Sequence, residues 1–502
     1  MKKQMTKKLI VVVLMLAALS ASVYASPEYR KLTILHTNDT HGHLLPFIYP
    51  FPDANGKNQW ISVGGITRRA YLAKKIAAEE KNPTILVDAG DALDGTPFSV
   101  EYMGEADFAA MNAAGYALKT FGNHEFSASL KEFERNLKIC TFPTISANLK
   151  YRSSALSFEP GYKIMDFDGV KVAFIGLTRM SPEYKAAKEG FDFEDPIATA
   201  KVLVPELKKL ADIVIAITHI GYSEDKRLAS EVPGINVIVG AHSHTLLTKP
   251  SFIGSANRIN PFSLNGTVIV QDGEWGVNLG KLELFFRRDN SPFTLMSYKG
   301  ELIPVTAQLA EDARTKSVLD KYYKPISKYY DEVIGTATAD FVTSEALLNL
   351  VCDGMRFASK SDIAMYNTGG IRSVFAAGKI KMWNIADVMP FQNNVVVLNI
   401  SGARLKQALT ELKPGVSGLR YKIDSNDKLV EASDNGQPIE DTKSYSVSTN
   451  SFVADNGFKD ITDITDTKMN VREAVKQFIV SQKEITPVED GRRIMLGTSA
   501  PM

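Results

Sequence analysis

The chain has 502 residues, of which 44% are hydrophobic and 23% charged, and its formal net charge is +1. This length exceeds what one hydrophobic core normally supports, so we expect two or three domains. The near-neutral charge excludes a basic nucleic-acid coat and a strong attraction to membrane surfaces. We therefore predict no polymeric nucleic-acid partner, and any phosphate-bearing ligand must be held by a local site.

The first 25 residues have the pattern of a signal peptide. Lys2, Lys3, Lys7 and Lys8 precede an apolar run at residues 9–19, and Val23-Tyr24-Ala25 places small residues at the two positions that determine cleavage. A membrane anchor is the alternative, but the run is short for a spanning helix and no second candidate follows. We expect export, to the periplasm of a Gram-negative host and otherwise out of the cell, with no stable membrane anchor in the mature chain.

Short apolar runs rich in β-branched residues alternate with helix-compatible stretches through the first half of the chain. This alternation predicts an α/β layered domain over residues 26–305. The predicted strands are residues 32–35, 84–87, 172–175, 213–217 and 235–239, and the predicted helices include residues 67–80 and 199–210.

A charged amphipathic stretch at residues 307–332 follows, without glycine and with a single proline, Pro325. It predicts a connecting helix within residues 306–335, followed by a second, smaller α/β domain over residues 336–502. In that second domain residues 345–358 and 402–412 are helix-like, and residues 363–366 and 395–400 are strand-like.

The chain has two cysteines, Cys140 and Cys352, which fall in different predicted domains. Export permits a disulfide that would tie the domains together. Two small buried apolar residues are the simpler interpretation.

All seven histidines precede residue 245, so the predicted second domain has none. Most of these histidines belong to polar motifs. Each motif lies at the end of a predicted strand or directly after a strand or apolar stretch. Since ligands of open α/β sheets gather beyond the carboxyl ends of the strands, these motifs are expected to converge on one site. The motifs are Asp39-Thr40-His41, Gly90-Asp91, Gly122-Asn123-His124-Glu125, His219 and Gly240-Ala241-His242-Ser243-His244.

The residue types in these motifs favour a particular chemistry. Asp, Asn and His without thiolates suit divalent zinc, manganese, cobalt or iron. One carboxylate can bridge two such ions about 3.5–4 Å apart, which activates water and stabilises in-line displacement at phosphorus. A single Asp-x-His pair is usually a solvated turn, and His36 and His43 keep the interpretation of core or surface residues. The ordered set as a whole predicts a site for two divalent ions.

This ordered set resembles the calcineurin-like metallophosphoesterases, specifically the 5′-nucleotidase family that includes bacterial UDP-sugar hydrolases and animal ecto-5′-nucleotidases. The resemblance covers nearly the whole mature chain. It implies a layered β-sandwich flanked by helices, followed by a smaller α/β nucleotide-binding domain. It also implies one ion held by Asp39, His41, Asp91 and His244, and another held by Asp91, Asn123, His219 and His242.

In the same resemblance, Asp91 is the bridge and His124 matches a histidine that is not a ligand but faces the phosphate. A protonated imidazole there would stabilise developing charge and help the leaving oxygen depart. The alternative is that His124 is a further metal ligand. Asn123 already fills that role.

The second domain carries further motifs of this family. The resemblance implies that two phenylalanines stack on the base while Arg and Asn hold polar groups of the nucleotide. From the residues alone, these phenylalanines are core residues more often than not. The matching segments are Asn367-Thr368-Gly369-Gly370-Ile371-Arg372, Pro390-Phe391-Gln392-Asn393 and Asn450-Ser451-Phe452 with Gly457-Phe458. The implied substrate residues are Asn367, Arg372, Phe391, Asn393, Phe452 and Asp455.

Three features depart from the family pattern. Ser127 stands where the family has an Asp that pairs with the catalytic histidine, residues 343–349 lack the family's arginine, and the loop after Phe452 is short. Because a serine brings no charge, we expect His124 to lack a carboxylate partner at position 127 unless Glu125 or Glu132 compensates. The other two departures bear on which nucleotide fits.

We therefore expect hydrolysis of nucleoside 5′-phosphates by attack of a metal-bridged hydroxide, in a class that can extend to nucleoside di- and triphosphates or UDP-sugars. A 2′,3′-cyclic-nucleotide 2′-phosphodiesterase with 3′-nucleotidase activity shares both domains and nearly all the motifs, and it is the alternative. A nucleotide-binding protein without turnover is a third hypothesis, against which the retention of every metal ligand and of His124 argues.

Overall fold

The computed structural model of the protein describes residues 26–52, 58–152, 161–255, 264–289 and 292–496. The predicted signal peptide, residues 1–25, lies outside these described residues. Within the described ranges, no helix combines the length and the apolar character needed to cross a membrane.

Strands and helices alternate from Glu28 to Pro304. In chain order they are β1 (Glu28–Thr37), β2 (Pro46–Pro52), β3 (Asn58–Gly64), α1 (Ile66–Glu79), β4 (Thr84–Asp88), α2 (Pro97–Tyr102), α3 (Glu105–Ala114), β5 (Leu118–Lys119), α4 (Leu130–Ile139), β6 (Leu149–Tyr151), β7 (Tyr162–Phe167), β8 (Val170–Thr178), α5 (Lys185–Gly190), β9 (Phe191–Phe193), α6 (Pro196–Leu210), β10 (Ile213–His219), α7 (Tyr222–Glu231), β11 (Val237–Val239), β12 (Ser251–Ser255), β13 (Asn265–Val270), β14 (Asn278–Arg288) and β15 (Thr294–Pro304).

Eleven of these strands form two large sheets, and β2–β3 and β6–β9 form separate two-stranded sheets. The first has the order β15-β14-β1-β4-β5, and the second has the order β12-β13-β11-β10-β8-β7. Each sheet contains a run of parallel strands: β1, β4 and β5 in the first, and β8, β10, β11 and β13 in the second. Antiparallel strands flank this run on one side in the first sheet, as β14 and β15, and on both sides in the second, as β7 and β12. The carboxyl ends of the parallel strands therefore collect along one edge of each sheet.

The two sheets pack face to face between layers of helices. Leu32, Ile34 and Val87 of the first sheet share one buried core with Phe174 and Ile215 of the second. Each such side chain stabilises the fold by about 1.5–3 kcal/mol on burial. Helices α1 and α3 cover the outer face of the first sheet, and α6 and α7 cover that of the second. This confirms the predicted layered β-sandwich flanked by helices.

The predicted strands at 32–35, 84–87, 172–175 and 213–217 lie within β1, β4, β8 and β10. The fifth, predicted at 235–239, begins only at Val237. The side-chain oxygen of Asn236 accepts a hydrogen bond from the Val214 N–H at 3.0 Å. A side chain thus replaces the backbone partner that the ladder would need at this position.

From Ala313 onward the chain builds the connecting helix and the second domain. In chain order the elements are α8 (Ala313–Tyr330), β16 (Val333–Ala337), α9 (Ser344–Ser359), β17 (Ile363–Tyr366), β18 (Gly378–Lys381), α10 (Met382–Val388), β19 (Asn394–Ser401), α11 (Gly402–Leu412), β20 (Gly415–Ser417), β21 (Arg420–Ile423), β22 (Leu429–Asp434), β23 (Gln437–Pro438), β24 (Ser444–Asn450), α12 (Ser451–Gly457), β25 (Ile464–Asn470), α13 (Val471–Gln482), β26 (Glu484–Ile485) and β27 (Arg493–Met495).

Helix α8 begins six residues later than predicted because Asp312 caps it. The Asp312 side chain accepts a hydrogen bond from the Thr315 N–H, which satisfies a free donor of the first turn. The helix packs on the first domain through Leu319. Tyr330 at its end donates a hydrogen bond to Glu101 at 2.6 Å.

The main sheet of the second domain has the order β20-β17-β24-β19-β25. Strands β17 and β24 are parallel, and β19 is antiparallel to β24. The ends of β17 and β24 therefore lie beside the start of β19, and loops from all three meet at one edge. Helices α9 and α13 pack on one face of this sheet, and α11 packs on the other.

The two cysteines are both free thiols, Cys352 buried and Cys140 half-buried. Cys352 fits the interpretation as a small buried residue, whereas Cys140 is only half-buried, and the structure holds no disulfide between them.

Candidate metal centre and substrate pocket

The predicted metal ligands meet where the carboxyl ends of the two sheets adjoin. Asp39 and His41 follow β1, and Asp91 follows β4. On the second sheet, His219 is the last residue of β10 and His242 follows β11. The first sheet thus supplies mainly carboxylates and the second supplies imidazoles, on opposite sides of one cleft.

One group consists of Asp39, His41 and His244, whose ligand atoms all lie within 4.8 Å of one another. The Nε2 atoms of His41 and His244 are 3.2 Å apart, and Nε2 of His244 is 3.6 Å from Oδ1 of Asp39. Since metal–nitrogen bonds are about 2.0–2.1 Å long, atoms at these separations can bind one ion together.

A second group consists of Asp91, His219 and His242. Nε2 of His219 lies 3.0 Å from Oδ2 of Asp91, and the same carboxylate oxygen lies 3.9 Å from Nε2 of His41 in the first group. Asp91 therefore stands between the two groups, in the position that a bridging carboxylate needs.

Two buried atoms beside Asp91 make no hydrogen bond within the described part of the chain: Oδ1 of Asn123, and Nε2 of His219, whose contact with the Asp91 carboxylate is an ion-pair contact at 3.0 Å. Leaving a buried polar atom unpaired costs about 1–3 kcal/mol, so such atoms call for an explanation. Nδ1 of His219 donates to the carbonyl of Ala89 at 2.9 Å, which leaves the Nε2 lone pair facing the group. Both atoms fit a bound cation.

Further side chains orient these ligands from behind. The Asn123 amide nitrogen donates to the Tyr184 hydroxyl at 2.8 Å, which turns its oxygen toward the group. Nδ1 of His244 pairs with the Glu274 carboxylate. Such outer partners fix the ring orientation of metal-binding histidines. Sequence reasoning missed both Tyr184 and Glu274, which no short motif links to their partners.

The backbone is strained at the ligands themselves. Five of the predicted ligands adopt left-handed conformations, which are uncommon for residues other than glycine and cost about 1–3 kcal/mol each. Their φ values are 48° at Asp39, 44° at His41, 55° at Asp91, 76° at His242 and 52° at His244. The tight turns after the strands aim consecutive side chains at one point.

A buried ion network holds the loop that carries Asp91. Glu125 accepts hydrogen bonds from the backbone N–H groups of Asp91, Ala92 and Gly122, at 3.0, 2.8 and 2.6 Å. Lys119 bonds to Glu125 at 3.0 Å and also to the buried Asp88 carboxylate at 2.8 Å. Burial lowers the pKa of Lys119, but the two carboxylates raise it by more, so the ammonium stays charged. Gly122 is required here because a Cβ would collide with Oδ1 of Asp91.

The pKa values of the Asp91 and Asp39 carboxyl groups are shifted in opposite directions. Burial raises the pKa of Asp91, but the histidines around it, His219 first, lower it by more and leave it well below its usual value. Burial raises the pKa of Asp39 to about 6. The His219 pKa is about 9, because attraction to Asp91 outweighs the effect of burial. A divalent ion held by His219 would take the place of the proton on this ring.

His124 lies beside these groups with a carboxylate partner that the sequence analysis did not identify. Its ring lies 4.9 Å from that of His41, and its Nδ1 is 2.8 Å from Oδ2 of Asp94. Burial lowers the pKa of His124, but the charge of Asp91 and the bond to Asp94 outweigh it, and the pKa is raised. Position 127 thus supplies no carboxylate, as expected, and the partner of the ring is Asp94, which was not among the residues considered.

A cavity of about 190 Å³ opens between the two domains at this centre. His41, His124 and His244 line it from the first domain, and Arg372 and Phe391 line it from the second. The Arg372 guanidinium lies 5.4 Å from the centre of the Phe391 ring. These two predicted substrate residues therefore line the same cavity as the predicted ligands His41 and His244.

The other predicted substrate residues lie nearby but do not line this cavity. Asn367 accepts a hydrogen bond from the Asn450 amide at 2.7 Å, and Asn393 accepts one from the Ser451 hydroxyl at 3.1 Å. These bonds tie the loops after β17 and β24 to the loop before β19. Phe452 is 56% exposed and Asp455 is also exposed. Their contact with substrate stays a prediction.

An aromatic wall forms one side of the cavity. His43 stacks on Trp275 at 5.0 Å and contacts Phe47 of the β2–β3 hairpin at 4.7 Å. Burial lowers the pKa of His43 to about 3, so the ring is neutral. His36 is buried on β1 away from the cavity, which agrees with the core interpretation.

Comparisons with known proteins match this architecture. The family model for calcineurin-like phosphoesterases matches residues 32–246, and that for the 5′-nucleotidase C-terminal domain matches residues 333–462. The chain is 29% identical over 495 residues to the trifunctional nucleotide phosphoesterase protein YfkN of Bacillus subtilis (strain 168), which covers 85% of this chain but only 32% of that protein. It is 28% identical over 451 residues to a 5′-nucleotidase of Vibrio vulnificus (strain CMCP6), covering 79% of this chain and 78% of that one.

Among solved structures, a 5′-nucleotidase precursor from Thermus thermophilus aligns with a TM-score of 0.80 and 29% identity. The alignment covers 94% of this chain and 100% of that one. The likeness therefore extends over both domains and the connecting helix.

Proposed function

Because this chain belongs to the 5′-nucleotidase family of metal-dependent phosphoester hydrolases, we propose that it removes phosphate from nucleoside 5′-phosphates with two divalent metal ions. One observation carries the proposal. His41 and His244 of the first group line one cavity together with His124, Arg372 and Phe391, and Asp91 of the second group adjoins His41. Chemistry on phosphate and recognition of an aromatic base thus adjoin in one space.

We assign one ion to Asp39, His41, Asp91 and His244, and the other to Asp91, Asn123, His219 and His242. Nε2 of His219 and Oδ1 of Asn123, which make no hydrogen bond within the described part of the chain, support this assignment. Nitrogen and oxygen donors without thiolates suit zinc, manganese, cobalt or iron. Bound ions of this kind polarise phosphoryl oxygens and provide a nucleophile at neutral pH.

Side chains of the protein supply the contacts to phosphate or ribose, the surface for the base and the proton for the leaving oxygen. The Arg372 guanidinium matches the geometry of phosphate or ribose oxygens, and the Phe391 ring gives a flat apolar surface for a base. Because Nδ1 of His124 is bonded to Asp94, Nε2 is the ring nitrogen left to act on substrate. From Nε2, the ring donates a proton to the leaving oxygen as the ester bond breaks.

The test is phosphate release from a panel of esters after metal removal and reconstitution. We expect turnover of 5′-AMP above that of 3′-AMP and 2′,3′-cyclic AMP, and about two ions per chain by elemental analysis. Asp91→Ala is expected to lose both ions and to lower turnover by at least about 10³-fold. Full activity in chelated protein with verified absence of metal would overturn the proposal. Preference for the cyclic ester would indicate the diesterase activity, and binding without turnover would indicate a nucleotide-binding protein.

We also propose that the mature protein is exported, on the basis of the basic and apolar pattern of residues 1–25. Amino-terminal sequencing of the protein recovered outside the cytoplasm is expected to begin at Ser26. Recovery of the intact Met1 terminus from the cytoplasmic fraction alone would contradict export.

A further inference from the structure

Asp94 occupies an unusual position in the loop after β4. Its backbone is left-handed, with φ of 62°. Oδ2 of its side chain lies 2.8 Å from Nδ1 of His124, and the residue lines the same cavity as the ring. The side chain remains 23% exposed.

The neighbouring candidates for this role are engaged elsewhere. The Ser127 hydroxyl donates to the His124 backbone carbonyl at 2.8 Å and makes no bond to the ring. Glu125 is taken up by the three backbone N–H groups and by Lys119. Glu132 accepts from the Ser129 hydroxyl at the start of α4. Among the described residues, Asp94 is the carboxylate that bonds to the His124 ring.

We propose that Asp94 is the positioning residue for His124, fixing the ring so that Nε2 points at the leaving oxygen of the substrate. The inference rests on the proposed function and specifies one part of it. A carboxylate on Nδ1 selects the tautomer and the rotation of an imidazole, and it stabilises the protonated ring.

The step that Asp94 supports is cleavage of the ester. The bond between phosphorus and the leaving oxygen breaks, and its electron pair stays on that oxygen, which takes the proton from Nε2 of His124. The oxygen of a water molecule bonds to phosphorus as the ester bond breaks. That water loses one proton to solvent, and Nε2 of His124 takes one proton back from solvent after the alcohol has left. Asp94 itself keeps its bond to Nδ1 throughout.

The backbone of Asp94 has a separate structural role, which the test must leave intact. Its N–H bonds to the Ser99 hydroxyl at 3.0 Å, and its carbonyl accepts from Nδ1 of His41 at 2.9 Å. Asparagine tolerates left-handed conformations better than most residues. Asp94→Asn therefore removes the charge while keeping the turn, whereas an alanine would disturb both.

The experiment compares 5′-AMP with p-nitrophenyl phosphate in metal-loaded protein. The nucleoside alkoxide needs a proton to leave, whereas p-nitrophenolate is stable as an anion. For Asp94→Asn we expect kcat on 5′-AMP to fall about 10–100-fold, within the range for proton transfer. We expect KM and metal content to stay within twofold, and the loss on p-nitrophenyl phosphate to be below about threefold.

A relocated carboxylate provides the matched rescue. Position 127 lies three residues after His124 in a helical turn, where side chains share one face. The kcat of Ser127→Asp alone is expected to stay near that of the parent. The double variant, which combines Ser127→Asp with Asp94→Asn, is expected to have a kcat at least about fivefold above that of Asp94→Asn.

Several results would overturn the inference. They are parent-like turnover of 5′-AMP by Asp94→Asn, equal losses on the two esters, loss of metal from the variant, or a double variant no better than Asp94→Asn. Failure of the proposed function is distinct, since the parent itself would then release no phosphate from 5′-AMP.

Discussion

His36 shows how burial at one residue sets a limit on stability in acid. The ring is almost fully buried on β1 and fills the space beside Gly280, where a Cβ would collide with it. Burial lowers its pKa from the usual 6.5 to about 4. A histidine in the unfolded chain takes up a proton near pH 6.5, whereas this one does so only near pH 4. Its contribution is therefore present above pH 6.5 and is lost as the pH falls through 4.

We expect His36→Gln to weaken this acid dependence. For the metal-free parent, the His36 contribution to the free energy of unfolding should fall by about 3 kcal/mol between pH 6.5 and pH 4, as the shift of its pKa implies. Urea unfolding at pH 7 and pH 4.5 measures the difference. The pH dependence of His43→Gln is measured for comparison, because burial lowers the pKa of His43 further, to about 3. An identical pH dependence in parent and His36→Gln would contradict the assignment.

Phe391 and Phe452 differ in their surroundings, although their motifs predict the same role. Phe391 lines the cavity and Phe452 is exposed. Loss of a stacking ring costs about 1–3 kcal/mol in nucleic-acid binders. We expect Phe391→Ala to raise KM for 5′-AMP by about 5–100-fold and to leave metal content unchanged.

Ribose 5-phosphate, which has no base, is the control for this prediction. Its KM should be the same in Phe391→Ala and in the parent. Phe452→Ala tests the second ring in the same assay. If Phe391→Ala handles 5′-AMP like the parent, stacking on Phe391 is refuted.

The convergence of the predicted metal ligands could be anticipated from the sequence, because each belongs to a short motif at the end of a strand or apolar stretch. Asp94, Glu274 and Tyr184 could not, because each reaches its partner across the fold. Asp94 is 30 residues from His124 along the chain, and Glu274 is 30 residues from His244. A second Asp three residues after Asp91 was the one available signal for Asp94.

At the scale of elements, the parallel strands were predictable because they are buried on both faces and read as continuous apolar runs. The β2–β3 hairpin was not predicted, since its two strands carry several prolines and aromatics instead of regular alternation. Trp60 on this hairpin donates a hydrogen bond to Asp340 of the second domain at 2.6 Å. Strands β14 and β15, which pair with each other antiparallel and place β14 beside β1, also escaped prediction.

The hairpin is expected to hold the second domain against the cavity. Trp60→Phe keeps an aromatic ring and removes only the indole N–H. A hydrogen bond to a charged acceptor is worth about 1.5–3 kcal/mol. If this bond favours the arrangement in which Arg372 and Phe391 face the metals, the variant should raise KM for 5′-AMP several-fold at unchanged kcat. Steady-state kinetics on the two proteins provide the measurement.

The substitution Trp60→Phe is preferred to a change at Asp340, whose other oxygen accepts the Ala377 N–H at 2.8 Å. Ribose 5-phosphate and 5′-AMP should respond alike if the hairpin acts on the domain as a whole. Parent-like KM values for both would show that the contact does not govern domain closure.

At the scale of the whole molecule, the metal centre joins two sheets that otherwise meet mainly through apolar side chains. Asp39 and Asp91 belong to the first sheet, and His219 and His242 belong to the second. Ions that bind only the native state stabilise it by about 2.7 kcal/mol at one hundred times Kd. We therefore expect metal removal to lower the unfolding temperature of the first domain by several degrees.

Calorimetry with and without metal checks this prediction, and hydrogen exchange assigns the effect to domains. Protection should fall in β1, β4 and β10 on chelation and stay unchanged in β17 and β24. Asp91→Ala should unfold at the same temperature in both conditions. A metal-independent transition in the parent would contradict the cross-sheet role of the ions.

The left-handed backbone at the predicted metal ligands limits the stability of the metal-free protein. His244→Gly relieves the strain at φ of 52°, and we expect the metal-free variant to be as stable as the parent or up to about 1 kcal/mol more stable. The same change removes a ligand, so added metal should no longer raise its melting temperature as it does for the parent. A laboratory selection for heat resistance in chelating medium would therefore favour glycine at position 244, and would yield a more stable protein that has lost a predicted metal ligand.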